Sequence, residues 1–128
     1  MANKASRRPT VYLTDRALRD IAAIEEYSIE RFGKRVGAQY ISKLEAGISR
    51  ISDHPDLLRE EIPFHESHKF YRVERHLFVY ETGIEGKTFI LTLLHVSIDI
   101  PSRLGELEPN LLLEAEMLLK QLRRSAKT

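Results

Sequence analysis

Between His68 and Val96 the chain is dominated by Val, Ile, Phe, Tyr and Thr, in three pieces reading HKFYRVER, HLFVYET and TFILTLLHV. These residues suit a pleated, half-buried surface. A break at Gly83-Ile84-Glu85-Gly86-Lys87 separates the last two pieces, and its glycines supply the positive φ of a hairpin turn. The junction near Arg75-His76 has neither Gly nor Pro, yet the pattern predicts a tight turn there. The expected product is a three-stranded antiparallel meander.

Upstream the period changes from two to 3.6. Thr10 to Thr14 (TVYLT) predicts a short strand, and Thr14 or Asp15 can then cap a helix by accepting from its free N–H groups. Ala17, Leu18, Ile21, Ile24, Ser28, Ile29 and Phe32 form one stripe over 15–32. Gly33 is placed to end that helix in a left-handed conformation. A second stripe, Val36, Tyr40, Ile41, Leu44, Ile48 and Ile51, predicts a helix over 35–53, stopped before Pro55. So short a connection implies an antiparallel hairpin that buries both stripes on the meander.

Asp56 to Glu66 has little periodicity and reads as a connecting loop. Ser97 to Gly105 reads as irregular, turning chain with Asp99 in a turn or capping position. Pro109 suits the start of a last helix, in which Leu111, Leu112, Ala115, Leu118, Leu119 and Leu122 share a broad face. Leu113 and Met117 fall outside it, so more than one side is apolar. That predicts burial against the sheet, a second copy or a protein partner.

Composition narrows the function. A chain of 128 residues with 42% hydrophobic and 30% charged residues fits one globular domain, 1–128, with a helical extension at about 106–124. Twenty basic and 19 acidic residues leave a net charge of +1, small for a protein that grips a nucleic-acid backbone. No cysteine is present, which excludes disulfides and thiolate chemistry and disfavours zinc. The longest apolar run, Phe89 to Val96, is far short of the roughly 20 residues of a membrane span. The basic N-terminus lacks an apolar segment of the secretory kind and reads as a frayed tail. A cytoplasmic protein without metal or other cofactor is expected.

No phosphate loop, HExxH or nucleophile elbow occurs. The remaining polar set lies along the meander: Lys69, Arg72, Arg75, His76, Tyr80 and His95. Arg72 reads as a solvated charge or as part of an anion-binding surface. His76 opens a strand, and His95 closes one on the face expected to hold Phe89, Leu91 and Leu93. Each histidine reads as a hydrogen-bonded structural residue or as an acid–base group, and the sequence leaves both open. Tyr80 reads as a core aromatic with its hydroxyl at the edge.

The order strand, helix hairpin, loop and meander resembles the RelE/ParE superfamily of bacterial toxins. The residues carrying the likeness are Tyr27 with Phe32-Gly33, Ala38-Tyr40-Leu44, Ile51 before His54-Pro55, Tyr71-Arg72, Arg75-His76-Leu77-Phe78-Val79-Tyr80, Ile90-Leu91, Leu94-His95, and Asp99 with Leu104. The Arg-His pair before Phe-Val-Tyr and the later Leu-His are similar to the ParE-like branch. The chain differs at Val96-Ser97-Ile98, where many members carry an arginine, and in its leucine-rich extension. The resemblance implies an α+β fold with an N-terminal strand and an antiparallel two-helix hairpin on a small, mostly antiparallel sheet, plus a C-terminal helix. It implies the toxin of a type II toxin–antitoxin, plasmid-stabilising system that inhibits DNA gyrase by protein binding and is neutralised by a cognate antitoxin. Arg72, Arg75, His76, Tyr80, His95, Leu111, Leu118 and Leu122 are then candidates for contacting target or antitoxin, with a homodimer through the last helix as a further expectation. The alternatives are a RelE-like ribosome-dependent mRNA endonuclease using Arg72, Arg75, His76 and His95, or a degenerate member that only binds its antitoxin.

Overall fold

A computed structural model describes residues 10–55 and 68–127. The expected N-terminal tail and the Asp56–Glu66 loop lie outside the described residues. Strand β1 (Thr10–Leu13) leads into helix α1 (Asp15–Phe32), which is capped by Thr14 accepting from the Ala17 N–H at 3.2 Å. Gly33, at φ 92°, closes α1 and opens α2 (Lys34–Asp53). One connecting residue leaves the two helices no arrangement but a hairpin.

Strands β2 (Lys69–Val73), β3 (His76–Ile84) and β4 (Lys87–His95) form the expected meander. Glu85 and Gly86 both have positive φ, 51° and 74°, the requirement of a type I′ hairpin turn. At the other junction Glu74 takes the left-handed conformation at φ 55°. Its side chain meets Lys43 at 2.7 Å and its carbonyl accepts from Arg72 Nε at 2.8 Å, which holds the turn without a glycine. β1 adds in parallel to β4, giving the order β1-β4-β3-β2.

Both sheet faces are covered. The hairpin buries Ala17, Leu44 and Ile51 with Val73, Phe78, Tyr80, Ile90 and Leu93. Ile21, Ile24 and Ile48 pack against this cluster, as the stripes predict. The opposite face, including Phe70, Leu77, Val79, Phe89 and Leu91, is covered from the C-terminal segment. There the expected irregular chain at 97–105 is instead helical: α3 spans Ile100–Leu107. Asp99 caps it by accepting from the Ser102 N–H at 3.2 Å, and Pro101 is harmless in a first turn whose N–H groups lack helical partners. Ile100, Leu104 and Leu107, spaced by four and three, are its buried stripe. Helix α4 (Asn110–Lys127) begins just after Pro109 and buries Leu111, Ala115 and Leu119 on the sheet. Leu112 leaves the expected face and is 40% exposed.

The pairing of β3 with β4 slips between Val79↔Thr92 and Tyr80↔Ile90, leaving Leu91 without an opposite number. Helix α1 anchors this irregularity. The Thr14 N–H donates to the Ile90 carbonyl at 3.1 Å and its hydroxyl to the Leu91 carbonyl at 3.0 Å. Asp20 accepts from the Leu93 N–H at 3.1 Å and from the Thr92 hydroxyl. Backbone groups displaced from the ladder are thereby satisfied. Arg16 makes two 2.8 Å hydrogen bonds to Glu114, joining the helix layer of one face to that of the other.

Candidate functional site

The slip in β4 has a geometric consequence at its end. Beyond Leu91 the alternation is inverted: Leu94 joins the cluster under α4, while Leu93 joins the cluster under the hairpin. His95 therefore shares a face with Leu93 but not with Phe89 and Leu91, which corrects the expected grouping. It meets His76, its register partner, with ring centroids 5.1 Å apart and an interplanar angle of 83°.

The two histidines and Arg75 line one part of a cleft of about 470 Å³ between the hairpin and the end of the sheet. Its apolar walls come from Ile24, Tyr27 and Phe32 on α1 and from Val36 on α2. Tyr27 and Phe32 are each 58% exposed and Val36 43%. Phe32 and Val36 continue the helix stripes that were expected to be core. They flank Gly33 at the hairpin tip and line the cleft.

Tyr40 organises the polar part. Its hydroxyl accepts from the Arg75 backbone N–H at 3.2 Å and lies 2.6 Å from His76 Nδ1. The hydroxyl can donate to a bare Nδ1 or accept from Nδ1–H, so the direction of this bond follows the His76 tautomer. Burial raises the Tyr40 pKa above its ordinary value, which keeps the hydroxyl protonated. Burial, followed by the neighbouring His95, pushes His76 down to about 4. His95 Nδ1 accepts from the Ser97 backbone N–H at 3.1 Å, and that N–H cannot reverse its role. The neutral His95 ring is therefore protonated at Nε2.

The His95 ring is thus set as an Nε2–H donor. A metal ion would need a free lone pair on Nε2, which this arrangement denies to His95. Among the described residues no cluster of three or more His, Cys, Asp or Glu could hold a metal ion. No carboxylate is among the described residues lining the cleft. The site offers apolar walls and donors, a surface suited to holding an acceptor group.

The lowered pKa of His76 has a sign that can be tested. The unfolded chain takes up this proton near pH 6.5 and the folded one near 4. The associated stability is complete above pH 6.5 and is lost as pH falls toward 4. At about 1.4 kcal/mol per tenfold change in proton affinity, discounted for partial exposure, the loss is roughly 2 kcal/mol. Urea unfolding at pH 7 and 4.5 is expected to show this much less pH dependence in His76→Gln than in the parent.

The other expected site residues lie elsewhere. Arg72 is exposed and held to the Glu74 carbonyl, outside the cleft lining. Tyr80 is fully buried, its hydroxyl donating to the Pro55 carbonyl at 2.9 Å. Leu111 is fully buried on the sheet, and Leu118 and Leu122 pack partly buried beside it. Tyr40 was not among the expected site residues, because its place in a helix stripe reads as core. Nor was His68, buried at the start of β2 and paired with Glu108. Among the described residues no helix is long and apolar enough to cross a membrane.

The family model described as "ParE toxin of type II toxin-antitoxin system, parDE" matches residues 11–100. A curated relative, Toxin ParE1 of Caulobacter vibrioides, is 28% identical over 93 residues, covering 73% of this chain and 95% of the relative. The solved structure titled "Chromosomal ParDE TA system from P. aeruginosa" superposes with a TM-score of 0.58 at 14% identity. That match covers 69% of this chain and 96% of the other and shows a shared fold. Helix α4 lies wholly beyond the matched residues of the family model.

Proposed function

Because the chain belongs to the ParE toxin family of type II toxin–antitoxin systems, we propose that it arrests bacterial growth by binding DNA gyrase rather than by cutting RNA. The observation that carries this choice is the state of the two histidines. A ribonuclease needs a base for the ribose 2′-hydroxyl, a cation at the crowded phosphate and an acid for the leaving oxygen. Here His76 is held neutral to well below neutral pH, both Nδ1 atoms are engaged within the protein, and Arg72 lies outside the cleft. A net charge of +1 also gives little attraction for ribosomal RNA.

The family implies an antitoxin partner, and gyrase as target sets the site of action in the cytoplasm. A second copy docking through α4 would use Leu112, Leu113 and Met117, which are exposed, and not the buried Leu111.

Expression of the chain alone is expected to stop growth, and the purified protein to inhibit supercoiling by gyrase. Co-expression of the adjacent small open reading frame's product should restore growth. Programmed ribosomes incubated with the same preparation should keep their mRNA intact. Cleavage at the decoding site, lost in His76→Ala or Arg75→Ala, would reverse the ranking in favour of the nuclease.

A further inference from the structure

Helix α4 presents a second stripe opposite the one it buries. Leu111, Ala115 and Leu119 are buried on the sheet, with Leu118 and Leu122 packed beside them. At about 100° per residue, Leu113 points directly away from that stripe, and Met117, Lys120 and Arg124 lie within about 40° of it. Glu116 is on the same outward side, one turn before Lys120. Leu113 is 51% and Met117 62% exposed, and Glu116, Lys120 and Arg124 are exposed as well. Two large apolar side chains at i, i+4 thus face away from the core of their own domain. The charges on this side are sorted, with acidic Glu116 toward the N-terminal end and basic Lys120 and Arg124 toward the C-terminal end. We propose that α4 pairs antiparallel with α4 of a second copy of this chain. The pairing goes beyond the gyrase reading and does not depend on it, and it uses a helix that lies outside the residues matched by the family model.

Three features select this occupant. The first is charge, which is complementary to a reversed copy of the same stripe. A parallel pair would set Glu116 against Glu116 and Lys120 against Lys120. A two-fold axis level with residues 117 and 118 instead sets Glu116 beside the second copy's Lys120, and does so twice. The second is shape. The same axis sets Met117 beside Met117 and Leu113 beside Gln121, each within about one residue's rise of roughly 1.5 Å. A recess of about 150 Å³ between α1 and α4 adjoins this line, with Arg19, Met117, Leu118 and Gln121 among its walls. Leu113 of a reversed copy arrives at its Gln121 side. The third is rigidity. Glu114 is bound to Arg16 and Arg123 to Glu85, so the flanks of α4 are fastened to the domain and the stripe is held ready to pair. Glu116 and Lys120 are also neighbours at i, i+4 within one helix, and mixing variants separates the two kinds of pairing.

Sedimentation of the full chain over a wide concentration range is expected to show a reversible monomer–dimer equilibrium. Glu116→Lys and Lys120→Glu should each weaken the dimer at least about tenfold, because each makes that part of the stripe uniform in sign. An equimolar mixture of the two variants should restore it, since each supplies the sign that the other lacks. Met117→Gln should weaken the dimer by removing the apolar contact at its centre. These three positions are exposed and the replacements are good helix formers, and melting curves confirm that each variant is folded. The chain has no cysteine, so the direction of pairing can be read by disulfide trapping. Leu113→Cys mixed with Gln121→Cys should form a mixed disulfide in preference to either self-pair, because only the antiparallel register brings these positions together. A monomer at every concentration, or a dimer that ignores all three substitutions, would overturn the proposal. A mixture that failed to restore the dimer would assign the charge effects to the single helix and refute the pairing. Preferred cross-linking of Leu113→Cys to itself would refute the antiparallel arrangement.

Discussion

A chain ending at Glu108, and so lacking α4, is expected to lose its cooperative fold. Leu111, Ala115 and Leu119 are at most 8% exposed, and they cover a sheet face formed by Phe70, Leu77, Val79, Phe89, Leu91 and Leu94. Losing the buried leucines, with the partly buried Leu118 and Leu122, removes about 5 to 8 kcal/mol. That matches the lower part of the roughly 5 to 15 kcal/mol by which a domain is stable. The truncation also exposes a contiguous apolar face, which favours aggregation. Near-UV circular dichroism and sedimentation should show a loosened or associating species. A monomer whose denaturant midpoint lies close to that of the full chain would show α4 to be an accessory. The milder Glu114→Gln removes only the ionic character of the clasp to Arg16 and is expected to stay folded.

The second large effect concerns the other face. Phe78→Ala is expected to cost about 3 to 5 kcal/mol, because a fully buried ring in a closely packed cluster leaves a cavity. Helix α2 approaches the sheet at this point so closely that a Cβ added to Gly47 would be 2.7 Å from Val73 Cγ2 and 3.2 Å from the Phe78 ring. Gly47→Ala in the parent should therefore destabilise by about 1 to 3 kcal/mol through overpacking. In the Phe78→Ala background the same change should cost less, since part of the obstruction is gone. Urea unfolding of the four proteins closes the cycle. Additive losses would mean that α2 shifts rigidly away from the sheet and that the glycine is not needed for the approach.

The residues determined the elements. A stripe at 3.6-residue spacing works through local geometry alone, so α1 and α2 were legible from their apolar positions, and Gly33 marked their junction. The Glu85-Gly86 turn was legible because its backbone conformation restricts which residues fit. The likeness to ParE-like toxins rested on the same ordered residues, Arg75-His76 and Leu94-His95 among them. Helix α3 was hidden because Pro101 and Gly105 look like breakers, although Ile100, Leu104 and Leu107 carry its period.

Tertiary structure decided the rest. β4 is buried from Thr88 to Leu94, so apolar residues occupy both of its faces and no alternation marks which face each one takes. A slip of one residue at Leu91 is therefore invisible in the sequence, yet it transfers His95 to the side of the hairpin and creates its contact with His76. The parallel pairing of β1 with β4 joins residues some 77 positions apart, beyond the reach of any local pattern. Phe32 and Val36 repeat the helical period of core residues but lie at the hairpin tip, flanking Gly33, so burial there depends on the partner surface rather than on spacing. The fold follows from periodicity; the cleft follows from where that periodicity is interrupted and where it runs past its support.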